Sequence, residues 1–122
     1  MTPVHRTLQD DVLAFDLAAE MQIVRAELAG GHARIARTLV KEGPLRLTLI
    51  GLSPGGGLHE HHAQAPITIH VLEGEIELDA GGKVSVLPTG RLAALDGGVP
   101  HAVRSHGGGM FLLTLAAGSA PT

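Results

Sequence analysis

Apolar side chains recur at Leu13, Leu17, Met21, Val24 and Leu28, spacings of four and three that gather them on one stripe of a helix over residues 8–28. Gly30-Gly31 closes that segment. Thr7 with Asp10 offers an N-cap resembling a capping box, and Asp16 marks a place where the segment can divide into two shorter helices. From Ala33 onward the period changes to two. Ala33 to Lys41 and Leu45 to Ile50 read as strands around a Gly43-Pro44 turn. Further strands are expected at Ile67 to Glu73, Glu75 to Asp79, Lys83 to Leu87, Arg91 to Leu95, His101 to Ser105 and Met110 to Ala116. Their boundaries are Gly51 to Gly57, Gly81-Gly82, Pro88 to Gly90, Asp96 to Pro100 and Gly107 to Gly109. Short strands at regular spacing, with no helices between them to make parallel crossovers, predict an all-β sandwich or barrel behind a short helical segment.

Composition narrows this picture. A chain of 122 residues is one domain, with residues 1–32 as the helical segment, 33–117 as the barrel and 118–122 as a tail. Its core must be aliphatic, because the aromatic residues are only Phe15 and Phe111. A net charge of −3 provides no basic footprint for nucleic acid. No apolar run is long enough to span a membrane and no apolar signal core follows Met1, so a cytoplasmic protein is expected. Without cysteine there are no disulfides, thiolate ligands or thiol nucleophile, and any metal must be held by nitrogen and oxygen.

The histidines are the candidate chemistry. In an extended Leu58-His59-Glu60-His61-His62, His59 and His61 share a face while Glu60 and His62 take the other. Two imidazoles on one face with a third from elsewhere, here His101 of Gly98-Val99-Pro100-His101, form an open metal site. Such a site suits Fe, Zn, Ni or Cu better than Mg or Ca. His62 and His70 are expected at solvent or in packing, and His106 at solvent. Glu73 and Glu75 flank a turn glycine and read as a solvated hairpin edge. Gly55-Gly56-Gly57 is not a phosphate loop, since no Lys-Ser/Thr follows it.

Two stretches of the chain resemble the motifs of small single-domain cupins of the RmlC-like jelly-roll type. Gly90, the turn Asp96-Gly97-Gly98 and then Val99-Pro100-His101 are similar to that family's second motif, with Asp96 in place of a proline. His59-Glu60-His61 and Gly74 fit the ends of the first motif, while Ile67 stands where the family has a glutamate. Glu60-His61 followed by Ala65-Pro66-Ile67-Thr68 resembles a branch of small cupins with a Glu-His and a proline-containing loop. Ser105 occupies the position of an asparagine.

The resemblance covers residues 33–117 and implies a jelly-roll barrel with a metal held by His59, His61 and His101. In that register Ile67, Ile69 and Val71 line the cavity and bind substrate, with Thr68, His70 and Leu72 turned away. Gln64 is a candidate fourth ligand or substrate hydrogen-bonding group. A dication held by neutral imidazoles favours a small anionic or chelating ligand, such as an enolate or carboxylate. An oxygenase, isomerase or lyase of the cupin type, a non-catalytic sensor and a metal-free structural dimer all remain open. Homodimers are the expected assembly, with the N-terminal helix and first strand as contact material.

Overall fold

The computed structural model describes residues 12–61 and 64–116. Helix α1 runs over Leu17–Ala29, a later start than the apolar stripe alone predicts. Asp16 is the reason: its backbone is extended and its carboxylate accepts a hydrogen bond from the Ala19 amide at 3.3 Å, an N-cap that begins the helix there. Leu13 and Phe15 therefore lie outside the helix, yet pack into the same apolar cluster as Met21 and Leu28. The capping pair proposed at Thr7 and Asp10, and the tail at 118–122, lie outside the described residues.

Eight strands follow: β1 (Arg34–Glu42), β2 (Leu45–Leu52), β3 (Gly57–His61), β4 (Ile67–Ala80), β5 (Lys83–Pro88), β6 (Leu92–Leu95), β7 (His101–Arg104) and β8 (Gly109–Ala116). They form one curled sheet in the order β1-β2-β8-β4-β7-β3, with β5 and β6 also paired to β4. All the pairings are antiparallel.

Where two strands separated by Gly74 were expected, β4 is continuous. Its first half pairs with β8 and β6 and its second half with β5 and β7. Gly74 is the corner between the halves, at φ 71°, with a register shift just before it. A Cβ there would come within 2.4 Å of the Gly108 carbonyl oxygen, so the crossing of β4 and β8 admits only glycine.

Two apolar layers lie on opposite faces of the sheet. The concave side holds Ile50, Leu52, Ile67, Ile69, Val71, Ile76, Leu78, Leu95, Val103 and Phe111. Each such side chain contributes roughly 1.5–3 kcal/mol on burial. On the convex side α1 packs against β1 and β2, joining Val24 to Leu39, Leu49 and Met110. Gly51 permits this approach, since a Cβ there would lie 2.5 Å from the Val24 side chain. Within this layer the Arg37 guanidinium meets the Glu20 carboxylate at 2.8 Å, both nearly buried.

Candidate functional site

The second motif delivers its histidine to the interior. The turn through Gly98, at φ 83°, and Pro100 leads into β7, whose first residue, His101, is 4% exposed. His101 Nδ1 lies 3.0 Å from the Val99 carbonyl oxygen. A carbonyl can only accept, so Nδ1 carries the proton in this contact. Alternation along β7 sets Val103 on the same buried side and Arg104 at solvent.

Strand β3 pairs antiparallel with β7, with Gly57 opposite Arg104, Leu58 opposite Val103 and His61 opposite His101. His101 also pairs with Ala80 of β4, so the backbone places it between β3 and β4. The register shift between Leu58 and His61 leaves two residues, His59 and Glu60, against the single Ala102. The strict alternation expected for His59-Glu60-His61 is therefore broken by a bulge. His59 and Glu60 are both exposed. They border a cavity of about 470 Å³ on the convex side, together with Glu77, Asp79, Ala102 and Arg104. The structure thus brings His61 and His101 into register, while the bulge leaves His59 without a directly opposite residue on β7. Among the described residues, no group of three or more His, Asp or Glu side chains is gathered closely enough to hold a metal ion.

Ile67, Ile69 and Val71 are buried on the concave side, in the cluster that contains Phe111 and Leu78. His70 is exposed on the other face, with Thr68 and Leu72 partly covered, as alternation predicts. Gln64 is exposed in the loop before β4.

Other polar groups take roles that spacing alone does not disclose. Ser105 is buried, its hydroxyl donating to the Glu75 carbonyl at 2.6 Å. Its amide donates to the Gly56 carbonyl and its carbonyl accepts from the Gly55 amide. Glu73 is not at a hairpin edge but in mid-strand, paired with Arg25 at 2.8 Å. Glu77 receives Arg104 from the neighbouring strand and His106 from just beyond it. The hydrogen bond from His106, and then that from Arg104, hold the Glu77 carboxyl below the usual carboxylate range. Only the strand register makes this cluster visible.

No helix among the described residues is long and apolar enough to cross a membrane. The sequence profile of the cupin domain (Cupin_2) matches residues 39–116. A comparison with curated proteins finds no match. Among solved structures, the fold is similar to a conserved protein of unknown function from Streptococcus pyogenes, with 23% identity over 71% of this chain and 76% of that one and a TM-score of 0.67. An RmlC-like cupin from Shewanella frigidimarina superimposes at TM-score 0.68, with 21% identity over 74% of this chain and 81% of that one. A third, an RmlC-like cupin from Desulfovibrio desulfuricans, shares 21% identity over 88% of this chain and 91% of its own, at TM-score 0.64. The curled antiparallel sheet, the Gly90 to His101 motif on β7 and the profile match agree: the chain belongs to the cupin family.

Proposed function

We propose that this cupin binds a divalent transition metal ion, Fe, Zn, Ni or Cu, where His61 and His101 stand opposite each other in the register of β3 and β7. A small anionic or chelating organic molecule is the ligand it takes there. The observation that carries this reading is the buried His101 ring, anchored through Nδ1 to the Val99 carbonyl. That hydrogen bond orients the ring, the arrangement found behind metal-binding imidazoles. When bound, a dication on neutral imidazoles keeps its positive charge and polarises a carbonyl or carboxylate oxygen.

Ile67, Ile69 and Val71 belong to the aliphatic cluster on the concave side, with Gln64 in the loop at the start of the same strand. The buried polar side chains among the described residues are Arg37, His101 and Ser105. Arg37 is engaged by Glu20 on the helix side and Ser105 by the Glu75 carbonyl. No buried acid or second base therefore stands among them to move a proton, which favours holding a ligand, as a sensor or carrier does, over transforming it.

Elemental analysis of tag-free protein tests the proposal. Near one equivalent of a transition metal per chain is expected, with at least a ten-fold loss in His101→Ala and in His61→Ala and a fold retained by thermal unfolding. His59→Ala distinguishes a site of three histidines from one of two, and retention of the metal is expected because the bulge leaves His59 exposed. Protein that stays metal-free after incubation with each of the four ions overturns the proposal and leaves a metal-free barrel.

A further inference from the structure

The concave face of the sheet changes character from one side to the other. Residues paired across antiparallel strands share a face, and one row runs Lys41, Arg46, Leu115, Ile67, Leu95 over β1, β2, β8, β4 and β6. Leu115, Ile67 and Leu95 pack in the concave cluster, which puts Arg46 and Lys41 on that side of the sheet. The next row repeats the change, with Thr38 and Thr48 continuing the line of Leu113, Ile69 and Ala93. Two cations and two hydroxyls thus adjoin an aliphatic surface. Among the described residues the Arg46 and Lys41 side chains form no ion pair, and Glu42 of the same hairpin takes the opposite face by alternation. The Arg46 row lies at the end of the barrel where the two histidines enter. The turn of residues 96–100 carries Leu95 to His101, and a Cβ on Gly97 in that turn would lie 3.1 Å from Ala65, just before β4.

We infer that Arg46 determines which ligand the barrel takes, by holding a second oxyanion, a carboxylate or a phosphate, on a molecule whose first end is bound at His61 and His101. The inference rests on the proposed function and specifies its ligand as a small molecule with two anionic ends. A guanidinium presents paired N–H donors in one plane, which match two oxygens of a carboxylate or phosphate. Lys41 beside it adds a second positive charge, and Thr48 and Thr38 offer hydroxyl donors one row further along the same face. Leu115 and Ile67, next in the row, have no group that can bond an anion, so the cationic side of the face is the place for it. Neighbouring strands lie about 4.8 Å apart, so Arg46 on β2 stands two spacings, about 10 Å, from Ile67 on β4. That separation suits anionic ends joined by a short chain rather than carried on adjacent atoms.

Isothermal titration calorimetry on the metal-loaded protein tests it. The probes are 2-oxoglutarate and 3-phosphoglycerate, which carry a second carboxylate or a phosphate, and 2-oxopentanoate, which has a chelating end alone. At least one of the first two is expected to bind ten-fold or more tightly than 2-oxopentanoate, and which one does so tells carboxylate from phosphate. Arg46→Gln is expected to abolish that preference while leaving the affinity for 2-oxopentanoate and the metal content unchanged, and Arg46→Lys to restore part of it. Arg91→Gln removes an exposed arginine outside both rows and is expected to leave the preference intact. Thermal unfolding of each variant confirms the fold. Lys41→Gln, expected to weaken the preference at least three-fold, decides the matter if Arg46→Gln does not fold. A chain that binds metal but shows no preference for a second anion, or keeps the preference in Arg46→Gln, overturns the inference and leaves the metal site standing. In a chain that takes up no metal the proposed function fails, and the same ratio of affinities on the metal-free protein still decides the role of Arg46. Absence of binding by all of the probes overturns the inference in either case.

Discussion

His101 and Ser105 are both buried on or just after β7, and they divide the labour of that segment. Ser105 ties the end of β7 to β4 and to the turn before β3, so the strand that presents His101 is held at its far end by hydrogen bonds. The Gly90 to His101 spacing was legible as a motif, because a turn and a strand start leave fixed glycine and proline positions. The place of His59 was not, since alternation cannot register a residue inserted against the partner strand. Glu77 supports a prediction at this scale. Its folded pKa lies below the unfolded value, so its contribution to stability is present above the usual carboxylate range and is lost as pH falls through the lowered folded value. Thermal unfolding followed from neutral to acidic pH is expected to fall less steeply in Glu77→Gln than in the unaltered chain. Identical acid limbs would show that Arg104 and His106 do not hold the carboxylate in solution.

Among the elements, β4 departs furthest from expectation. Gly74 carries the composition of a turn, and sequence pattern cannot separate a glycine that reverses the chain from one that bends a continuing strand. Partner strands decide it: Gly109 lies opposite Gly74, and backbone approaches backbone there. Gly74→Ala must place a side chain at φ 71° and against the Gly108 carbonyl. A loss of about 2 kcal/mol or more is expected by chemical denaturation, above the left-handed penalty of about 1–2 kcal/mol alone. A change under half that would mean the corner relaxes freely. Helix α1 shows the converse lesson, for its apolar stripe continues through Leu13 although the helix does not, because one polar cap at Asp16 outweighs periodicity.

At the scale of the whole molecule, the all-β class was legible from the short alternating strands and their glycine turns, and the helix from its stripe. What alternation could not supply was the side of the sheet that each apolar set would fill. Both faces are apolar where α1 lies, and only packing reveals that Arg37 belongs to the helix-covered side. The Arg37–Glu20 pair fastens helix to barrel inside that layer. Glu20→Ala leaves a nearly buried guanidinium without its carboxylate and is expected to cost about 3 kcal/mol, while Glu20→Leu with Arg37→Met recovers most of it. Equal stability of the single and double variants, measured by urea unfolding, would show that the pair is solvated rather than buried.

The continuity of β4 also bears on how the molecule opens. One unbroken strand supplies hydrogen-bonding partners to β5, β6, β7 and β8, so neither half of the curled sheet has a central strand of its own. Loosening of one half withdraws the template on which the other is ordered. Amides from Ile69 to Leu78 accordingly belong to a single cooperative unit that exchanges with solvent only through global unfolding.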